Sequence, residues 1–297
     1  MELINVFTAI KYKKSTFFDL LEDIPYAVIK GEALSLQAYG QTGKRISSDI
    51  DVLCDKIYLK EIEVILSQSG FVQMKSSRQE RITMLSGSHQ VSPWVKNISP
   101  SDVIKVDLNF DIFWGEYTKK RININTFLND VTEANIYQRK VKVLPPLKAM
   151  VQLILHHYKD MNSIFLLATR NSIKNDMFKE ILFLLLNNAD IITVDKLYEI
   201  SAEYNIIPYV YYIFHYTNQI FGNEIMKKYE QALKTPEGID LLDYYGLSEN
   251  ERRQWKVDFK TRLETENRYL LIKDDLTEKD IEKIERNKEL FKSDGGK

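Results

Sequence analysis

The stretch of sequence that decides the fold reads Arg45-Ile-Ser47-Ser48-Asp49-Ile50-Asp51-Val52-Leu53. Polar and apolar residues alternate from Asp49 onward, which predicts a β-strand with Asp49 and Asp51 on the same face. Two neighbouring carboxylates repel each other, so this placement is typical of a site where a divalent cation neutralises them. An Asp-x-Asp pair also occurs where one aspartate starts a strand or caps a helix, and the pair alone leaves both interpretations open.

Upstream of this strand, the sequence predicts a strand, a tight turn and a helix in succession. Residues 26–30 form a short apolar run, Gly31 permits a turn, and residues 32–39 have the pattern of a helix. A glycine at a strand-to-helix turn lets backbone N–H groups approach a phosphate.

A second run with polar residues on one face follows further along and reads Lys105-Val106-Asp107-Leu108-Asn109-Phe110-Asp111. Asp107 is the candidate for a third carboxylate beside the first pair, and Asp111, on the same predicted face, is its rival. Three carboxylates on adjacent strands can bind two divalent ions that activate an attacking hydroxyl and stabilise a leaving pyrophosphate. The order of these motifs therefore favours the chemistry of nucleotidyl transfer.

The chain changes character near Leu144, from alternating strands and helices to helices throughout. Four further strands are predicted in the first part, over residues 71–75, 81–86, 103–113 and 141–144. We therefore expect an α+β fold, with a small mixed β-sheet nucleotidyltransferase domain and flanking helices over residues 1–144. An all-helical substrate-binding or accessory domain is expected over residues 145–297.

The composition is that of an ordinary globular protein with little net charge. The 297 residues include 41 basic and 42 acidic ones, so no strong overall field attracts nucleic acid or anionic lipid. One cysteine and four histidines exclude an internal disulfide and a Cys/His zinc framework, and a reducing, cytoplasmic setting is expected. The start of the chain lacks a secretory-signal pattern, and its most apolar stretch, residues 181–186, is too short to span a bilayer. We expect no membrane partner and no strong bulk binding of nucleic acid.

These motifs resemble the polymerase-β-like nucleotidyltransferase superfamily, in its branch of uncharacterised bacterial nucleotidyltransferases. The superfamily pattern is a glycine turn, then Asp-apolar-Asp, then a later carboxylate on another strand, and Gly31, residues 49–52 and residues 106–108 match it. The segment Lys30-Gly31-Glu32-Ala33-Leu34 matches the branch, although Glu32 stands where many members have a small residue.

The resemblance implies that Asp49 and Asp51 bind two Mg²⁺ ions and that Asp107 binds the one that activates the acceptor, with general base as a further role. It also implies that Gly31 marks the turn that approaches the triphosphate of an NTP. The candidate phosphate contacts are Lys30, Arg45, Ser47 and Ser48. The implied reaction is Mg²⁺-dependent transfer of a nucleoside monophosphate, with AMP from ATP expected first, to a hydroxyl or phosphate acceptor.

Several alternatives stay open for the acceptor and for the activity itself. A small molecule or a modified peptide of secondary metabolism is the first expectation for the acceptor. A toxin-type nucleotidyltransferase that modifies RNA or protein is an alternative within the enzymes. A non-catalytic nucleotide-binding scaffold with the same fold is the alternative outside them.

Two other features have weaker interpretations. The segment Gly40-Gln-Thr-Gly43-Lys44-Arg45 lacks the glycine spacing and the Ser/Thr of a P-loop. His156 and His157 are adjacent, so they point in different directions on a helix and do not form an i, i+4 metal pair. Structural or partner-facing positions are expected for both, and contact of His157 with nucleotide or acceptor is the alternative.

Overall fold

The computed structural model describes residues 16–45, 47–74, 77–100, 102–170 and 172–290. No helix within these ranges is long and apolar enough to cross a membrane. The chain divides into two compact units. The sheet unit comprises the residues up to Ile112 and Ile122–Ala149, and the helical unit comprises Phe113–Arg121 and the residues from Met150 onward. The expected catalytic and accessory roles of residues 1–144 and 145–297 stay predictions.

The sheet unit begins its regular structure with a short 3₁₀ helix, Thr16–Leu21. Its strands and longer helices are, in chain order, β1 (Tyr26–Ile29), α1 (Gly31–Tyr39), β2 (Asp49–Cys54), α2 (Leu59–Gln68), β3 (Val72–Gln73), α3 (Arg78–Gly87), β4 (Trp94–Ser99), β5 (Asp102–Asn109), α4 (Ile124–Phe127), β6 (Thr132–Ile136) and β7 (Arg139–Val143). The seven strands form one sheet in the order β3-β4-β5-β2-β1-β7-β6. Because β2 is parallel to β5 and antiparallel to β1, the sheet is mixed, which confirms the expected α+β class.

The apolar core of the sheet unit includes every second residue of β2. Ile50, Val52 and Cys54 are buried in one cluster with side chains of β1, β4, β5 and β7. Helix α2 adds residues at helical spacing to the same cluster, Leu59, Ile62 and Leu66. Since side chains alternate along a strand, Asp49 and Asp51 project from the opposite face of the sheet.

The strand predicted over residues 81–86 is wrong, because these residues lie in helix α3. The Ser77 hydroxyl accepts a hydrogen bond from the Glu80 N–H, and the Glu80 carboxylate accepts one from the Ser77 N–H. This reciprocal capping box stabilises a helix start, and residues 81–86 continue the helix that it begins.

The other predicted strands are present with different bounds, as β3, β5 and β7. Lys75, at the end of the strand predicted over 71–75, lies outside the described residues, as does the start of the chain. Strands β4 and β6 were not predicted. Both contain polar residues on each side of the alternation, as in the sequence Thr132-Glu-Ala-Asn-Ile136, and each pairs with the strand that follows it in the chain, β5 or β7.

The helical unit contains ten α-helices among the described residues, of which the first begins just before the unit's boundary. They are α5 (Pro146–Asn162), α6 (Ile164–Thr169), α7 (Asn175–Leu186), α8 (Val194–Glu203), α9 (Ile207–Phe221), α10 (Glu224–Ala232), α11 (Pro236–Leu241), α12 (Phe259–Glu264), α13 (Tyr269–Ile272) and α14 (Glu278–Leu290). Two short strands, β8 (Tyr244–Tyr245) and β9 (Arg253–Gln254), pair antiparallel. The unit is therefore helical apart from this small hairpin, where the sequence predicted helices only.

Residues 113–121 belong to the helical unit although they follow β5 in the chain. Trp114 is 2% exposed and packs its ring against those of Tyr158 and Tyr209, with centroid distances of 5.4 and 5.3 Å. Its indole N–H donates to the Leu247 carbonyl at 3.3 Å. The Tyr117 hydroxyl lies 3.1 Å from the Tyr204 carbonyl. This aromatic segment is thus part of the core of the helical unit.

Candidate active site

The pairing of β2 with β5 brings the three predicted carboxylates together. The two strands are parallel, and their register places Asp51 beside Asp107 and Asp49 beside Lys105. Paired residues on neighbouring strands share a face of the sheet, where adjacent chains are about 4.8 Å apart. Asp51 is 8% exposed and Asp107 is 7% exposed. Two acidic side chains with little access to water, and the more exposed Asp49 near them, therefore lie on the face opposite the apolar core.

Two lysine ammonium groups partly neutralise these carboxylates. The Nζ of Lys30 lies 3.0 Å from Oδ1 of Asp51. The Nζ of Lys105 lies 3.2 Å from Oδ2 of Asp107 and 3.6 Å from Oδ2 of Asp49. Lys30 was predicted to contact a phosphate, and here it contacts a carboxylate. Lys105 was not predicted, although it shares the period-two face of Asp107.

Asn109 is a second residue of this site that the sequence analysis missed. Its side chain is buried, and its Nδ2 donates to Oδ1 of Asp51 at 3.3 Å and to the carbonyl of Asp107 at 3.2 Å. The amide thus links the two strands at the carboxylate pair and orients Asp51. Its position two residues after Asp107, on the same face of β5, was the available signal.

The carboxyl groups of Asp107 and Asp49 have pKa values shifted in opposite directions. Burial raises the pKa of Asp107 to about 6, against the opposing charge of Lys105 and with the help of the charges of Asp51 and Asp49. Burial also acts to raise the pKa of Asp49, but the hydrogen bond from Ser47 and the charges of Lys105 and Lys30 outweigh it and lower that pKa. The site therefore contains one carboxylate held ionised and one that accepts a proton more readily.

Helix α1 begins directly beside this cluster, at a turn with an unusual backbone. Lys30 has φ 57° and ψ −147°, and Gly31 has φ 43°, a region that residues with a Cβ avoid. A Cβ on Gly31 would lie 3.7 Å from the Cβ of Ser47. The first N–H groups of a helix lack intrahelical acceptors and carry partial positive charge, so this end of α1 suits an anionic group.

Ser47 and Ser48 lie between the loop and β2. The Ser47 hydroxyl donates to Oδ1 of Asp49 at 2.8 Å, so Ser47 orients a carboxylate in this structure. Ser48 is exposed at the residue before β2. Their predicted contacts with phosphate stay predictions.

The loop from Gly40 to Arg45 is anchored on helix α1. The Ser35 hydroxyl accepts hydrogen bonds from the N–H groups of Lys44 and Arg45, at 2.9 and 3.2 Å, and donates to a carbonyl of the same loop. The Glu32 carboxylate accepts from the Gly43 N–H at 2.6 Å. Glu32, which departs from the superfamily pattern, thus acts in this chain as an anchor for the loop. The backbone of Arg45 is fixed in this way.

The carboxylate cluster has the donor chemistry of a Mg²⁺ site completed by substrate. Carboxylate oxygens are ligands that Mg²⁺ prefers, and Oδ1 of Asp107 is buried with no hydrogen-bond partner among the described residues. Within the described ranges, no three His, Cys, Asp or Glu side chains form a group that could hold an ion by themselves. Mg²⁺ commonly binds through one or two carboxylates, with water and phosphate oxygens as its other ligands. The residues present fit that kind of site.

The remaining candidates, Asp111, His156 and His157, lie outside the paired strands β2 and β5. Strand β5 ends at Asn109, so the period-two placement of Asp111 beside Asp107 no longer follows. In helix α5, Nε2 of His156 lies 3.5 Å from Asp160 and Nε2 of His157 lies 3.6 Å from Glu180. Both contacts lie within the helical unit, and the expected structural or partner-facing positions stay predictions, as does the alternative contact of His157 with nucleotide or acceptor.

A family of known proteins and a solved structure are similar to this chain. A sequence model of the family described as "Uncharacterised nucleotidyltransferase" matches residues 18–222. No curated protein matches the chain. A solved structure similar to this chain is that of ANT(2″)-Ia in complex with adenylyl-2″-tobramycin, with 12% sequence identity and a TM-score of 0.38, covering 67% of this chain and 97% of that chain. The family match spans more than half of the chain and includes the turn at Gly31 and all three aspartates, so the chain belongs to the uncharacterised nucleotidyltransferase family and is a transferase.

Proposed function

We propose that the chain transfers a nucleoside monophosphate from an NTP, in a Mg²⁺-dependent reaction, to a hydroxyl or phosphate acceptor. ATP is the proposed donor, so that AMP is transferred, and a small molecule or a modified peptide is the proposed acceptor. The observation that carries this proposal is the register of β2 with β5, which sets Asp51 beside Asp107 next to Asp49. In a nucleotidyltransferase, such a cluster is where the triphosphate reacts.

Asp49, Asp51 and Asp107 are the proposed ligands of two Mg²⁺ ions. When bound, these ions would polarise the α-phosphate and neutralise the charge of the leaving pyrophosphate. Lys105 and Lys30 already contact these carboxylates, so the site is adapted to cationic partners. The N-terminus of α1, at Gly31, is the proposed cradle for the phosphates.

The reaction requires a bond between an acceptor oxygen and the α-phosphorus. The bond from the α-phosphorus to the bridging oxygen breaks, and pyrophosphate leaves with the electron pair. The proton of an acceptor hydroxyl has to be taken up, and Asp107 is the proposed base. Its Oδ1 is buried and has no hydrogen-bond partner among the described residues, so this oxygen can accept the proton.

The proposal is tested with the purified chain, α-labelled NTPs, Mg²⁺ and a panel of hydroxyl- and phosphate-bearing acceptors. We expect labelled product and pyrophosphate with the wild type, and loss of both in Asp49→Asn and Asp51→Asn. Asp102→Asn is the matched control, because Asp102 lies on β5 but pairs with Ser99 rather than with the cluster. Transfer that survives in both aspartate variants contradicts the mechanism. The absence of any Mg²⁺-dependent nucleotide binding in the wild type favours a non-catalytic scaffold.

A further inference from the structure

Lys105 occupies the position between two carboxylates that are proposed metal ligands. Its ammonium group lies 3.2 Å from Oδ2 of Asp107 and 3.6 Å from Oδ2 of Asp49, so it bridges β5 and β2. Register explains the bridge, because Lys105 is the strand partner of Asp49 and lies two residues before Asp107. The ammonium group therefore contacts one oxygen of each aspartate.

This arrangement differs from an ordinary surface ion pair. Exposed pairs contribute little, because water screens both charges. Here the Asp107 side chain is 9% exposed and the Asp49 side chain is 26% exposed, while Lys105 keeps 34% of its own side chain accessible. Lys105 is thus the most exposed of the three groups. It also has the longest and most flexible side chain, so it is the partner that can move.

A divalent cation would compete with the lysine ammonium groups for the same carboxylate oxygen atoms. Asp49, Asp51 and Asp107 face the ammonium groups of Lys30 and Lys105, which leaves about one net negative charge when all five groups are ionised. A divalent cation bound to Oδ2 of Asp107 would meet the Lys105 ammonium at short range and repel it. Lysine has a flexible four-carbon stem and binds phosphate as a point charge. A displaced Lys105 ammonium can therefore find a new partner in a triphosphate.

We propose that Lys105 is a positioning residue whose ammonium group holds Asp49 and Asp107 until a divalent cation arrives, and then moves to a phosphate oxygen of the nucleotide. This inference rests on the proposed function. It implies that metal binding without nucleotide is weakened by Lys105, and that metal and nucleotide strengthen each other's binding. Because coupling between two ligands is reciprocal, it can be measured from either side.

The test uses Mn²⁺ as the metal probe and calorimetric titration of the full chain. We expect Lys105→Met to bind Mn²⁺ about tenfold more tightly than the wild type in the absence of nucleotide, a change of about 1.4 kcal/mol. A non-hydrolysable ATP analogue is expected to tighten Mn²⁺ binding in the wild type and to do so less in Lys105→Met. Lys140→Met is the matched control, because Lys140 on β7 also pairs with an acidic side chain, Glu133, but is 81% exposed. It is expected to behave as the wild type.

Thermal unfolding with EDTA and with Mn²⁺ adds a second readout. If Lys105 had a purely structural role, Mn²⁺ would not restore the unfolding temperature of its variant. We expect Lys105→Met to unfold at a lower temperature than the wild type in EDTA and to recover most of the difference with Mn²⁺. If the Met variant does not fold, Lys105→Gln replaces it in both measurements. Mn²⁺ binding that is present in the wild type but no tighter in the Lys105 variant overturns this inference alone. No Mn²⁺ binding by the wild type even in the presence of the ATP analogue overturns the proposed metal site and this inference with it.

Discussion

At the scale of single residues, the carboxyl group of Asp107 is buried, and one of its oxygens, Oδ1, has no hydrogen-bond partner among the described residues. Burial raises its pKa from the ordinary 3.8 to about 6. The folded chain thus holds a proton on Asp107 more tightly than the unfolded chain does. The sign follows from linkage: this group contributes stability that is present below the unfolded pKa and lost as the pH rises through about 6.

We therefore expect the free energy of unfolding of the wild type to fall, relative to Asp107→Asn, by about 2 kcal/mol as the pH rises from about 4 to about 7. Denaturant unfolding of the two metal-free proteins across this range measures the difference. The ¹³C resonance of the Asp107 carboxyl group, assigned with the same variant, is expected to titrate near pH 6.

For Asp49, the same unfolding experiment is expected to show the opposite dependence on pH, because its pKa is lowered rather than raised. Its lowered pKa contributes stability that is present above the unfolded pKa and lost as the pH falls. The difference between wild type and Asp49→Asn is therefore expected to grow as the pH rises from acid values, in contrast to that for Asp107→Asn. The same trend in both variants, or an Asp107 resonance that titrates at the ordinary 3.8, contradicts the role of burial at this site.

The residues of the site differ in how far the sequence could reveal them. Asp49, Asp51 and Asp107 were found because strand alternation places carboxylates on one face, and their convergence depends only on the pairing of two strands. Lys105 and Asn109 share that alternation, but their types also occur on any exposed strand face. Their contacts with the aspartates follow from the parallel register of β2 with β5, which no local pattern encodes.

At the scale of elements, the start of helix α1 is the strained part of the site. Lys30 and Gly31 both have positive φ, at 57° and 43°. Sparsely populated backbone conformations of this kind persist where the surroundings determine them and often lie at functional sites. The strand-turn-helix order was predictable from Gly31, whereas the positive φ of Lys30 was not, since a lysine gives no sign of it.

We expect Gly31→Ala to lower the free energy of unfolding by about 1–2 kcal/mol, because alanine pays a steric penalty at this φ. Space is not the obstacle, since the added Cβ would meet its neighbour Ser47 at an ordinary 3.7 Å. Nucleotide affinity is expected to fall as well, because the turn carries the N–H groups at the start of α1. Urea unfolding and nucleotide titration measure the two effects.

Gly87→Ala is the control for this substitution. Gly87 ends helix α3 without positive φ and has nothing within 4 Å of an added Cβ. The same change there is expected to be neutral or to stabilise by up to about 1 kcal/mol, as alanine favours helices. Equal losses in the two variants would show that the conformation of Gly31 is not what matters.

Sequence patterns predicted the elements unevenly, for physical reasons. Helix α1 was found because Gly31 marks the turn before it, and strand β2 was found because its polar and apolar residues alternate. Helix α3 was mistaken for a strand over residues 81–86, although the Ser77-x-x-Glu80 capping box marked a helix start. Strands β4 and β6 carry polar residues on both faces, so their alternation could not identify them, although each pairs with the strand that follows it in the chain.

At the scale of the whole molecule, the chain leaves the sheet unit at Phe113 and returns to it at Ile122. A single boundary near Leu144 could not anticipate this excursion, because the aromatic segment follows β5 directly and continues its apolar character. Only the contacts of residues 113–121 show that this segment belongs to the helical unit. The rings of Tyr158 and Tyr209 and the carbonyl of Leu247, all in the helical unit, surround Trp114.

We expect Trp114→Ala to destabilise the helical unit rather than the sheet unit in which its sequence neighbours lie. Loss of a buried tryptophan costs about 3–5 kcal/mol, and the Leu247 carbonyl also loses its donor. Hydrogen exchange with mass spectrometry is expected to show lower protection for the backbone amides of helix α9, with the amides of strand β2 unchanged.

Trp94→Ala supplies the comparison that makes this result specific. Trp94 on β4 is 7% exposed and packs in the core cluster of the sheet unit. Its loss is expected to reduce the protection of β2 amides and to leave those of α9 unchanged, the reverse of the Trp114 pattern. If both variants lowered protection equally in both units, the two units would unfold as one cooperative body, and the assignment of residues 113–121 would have no energetic meaning.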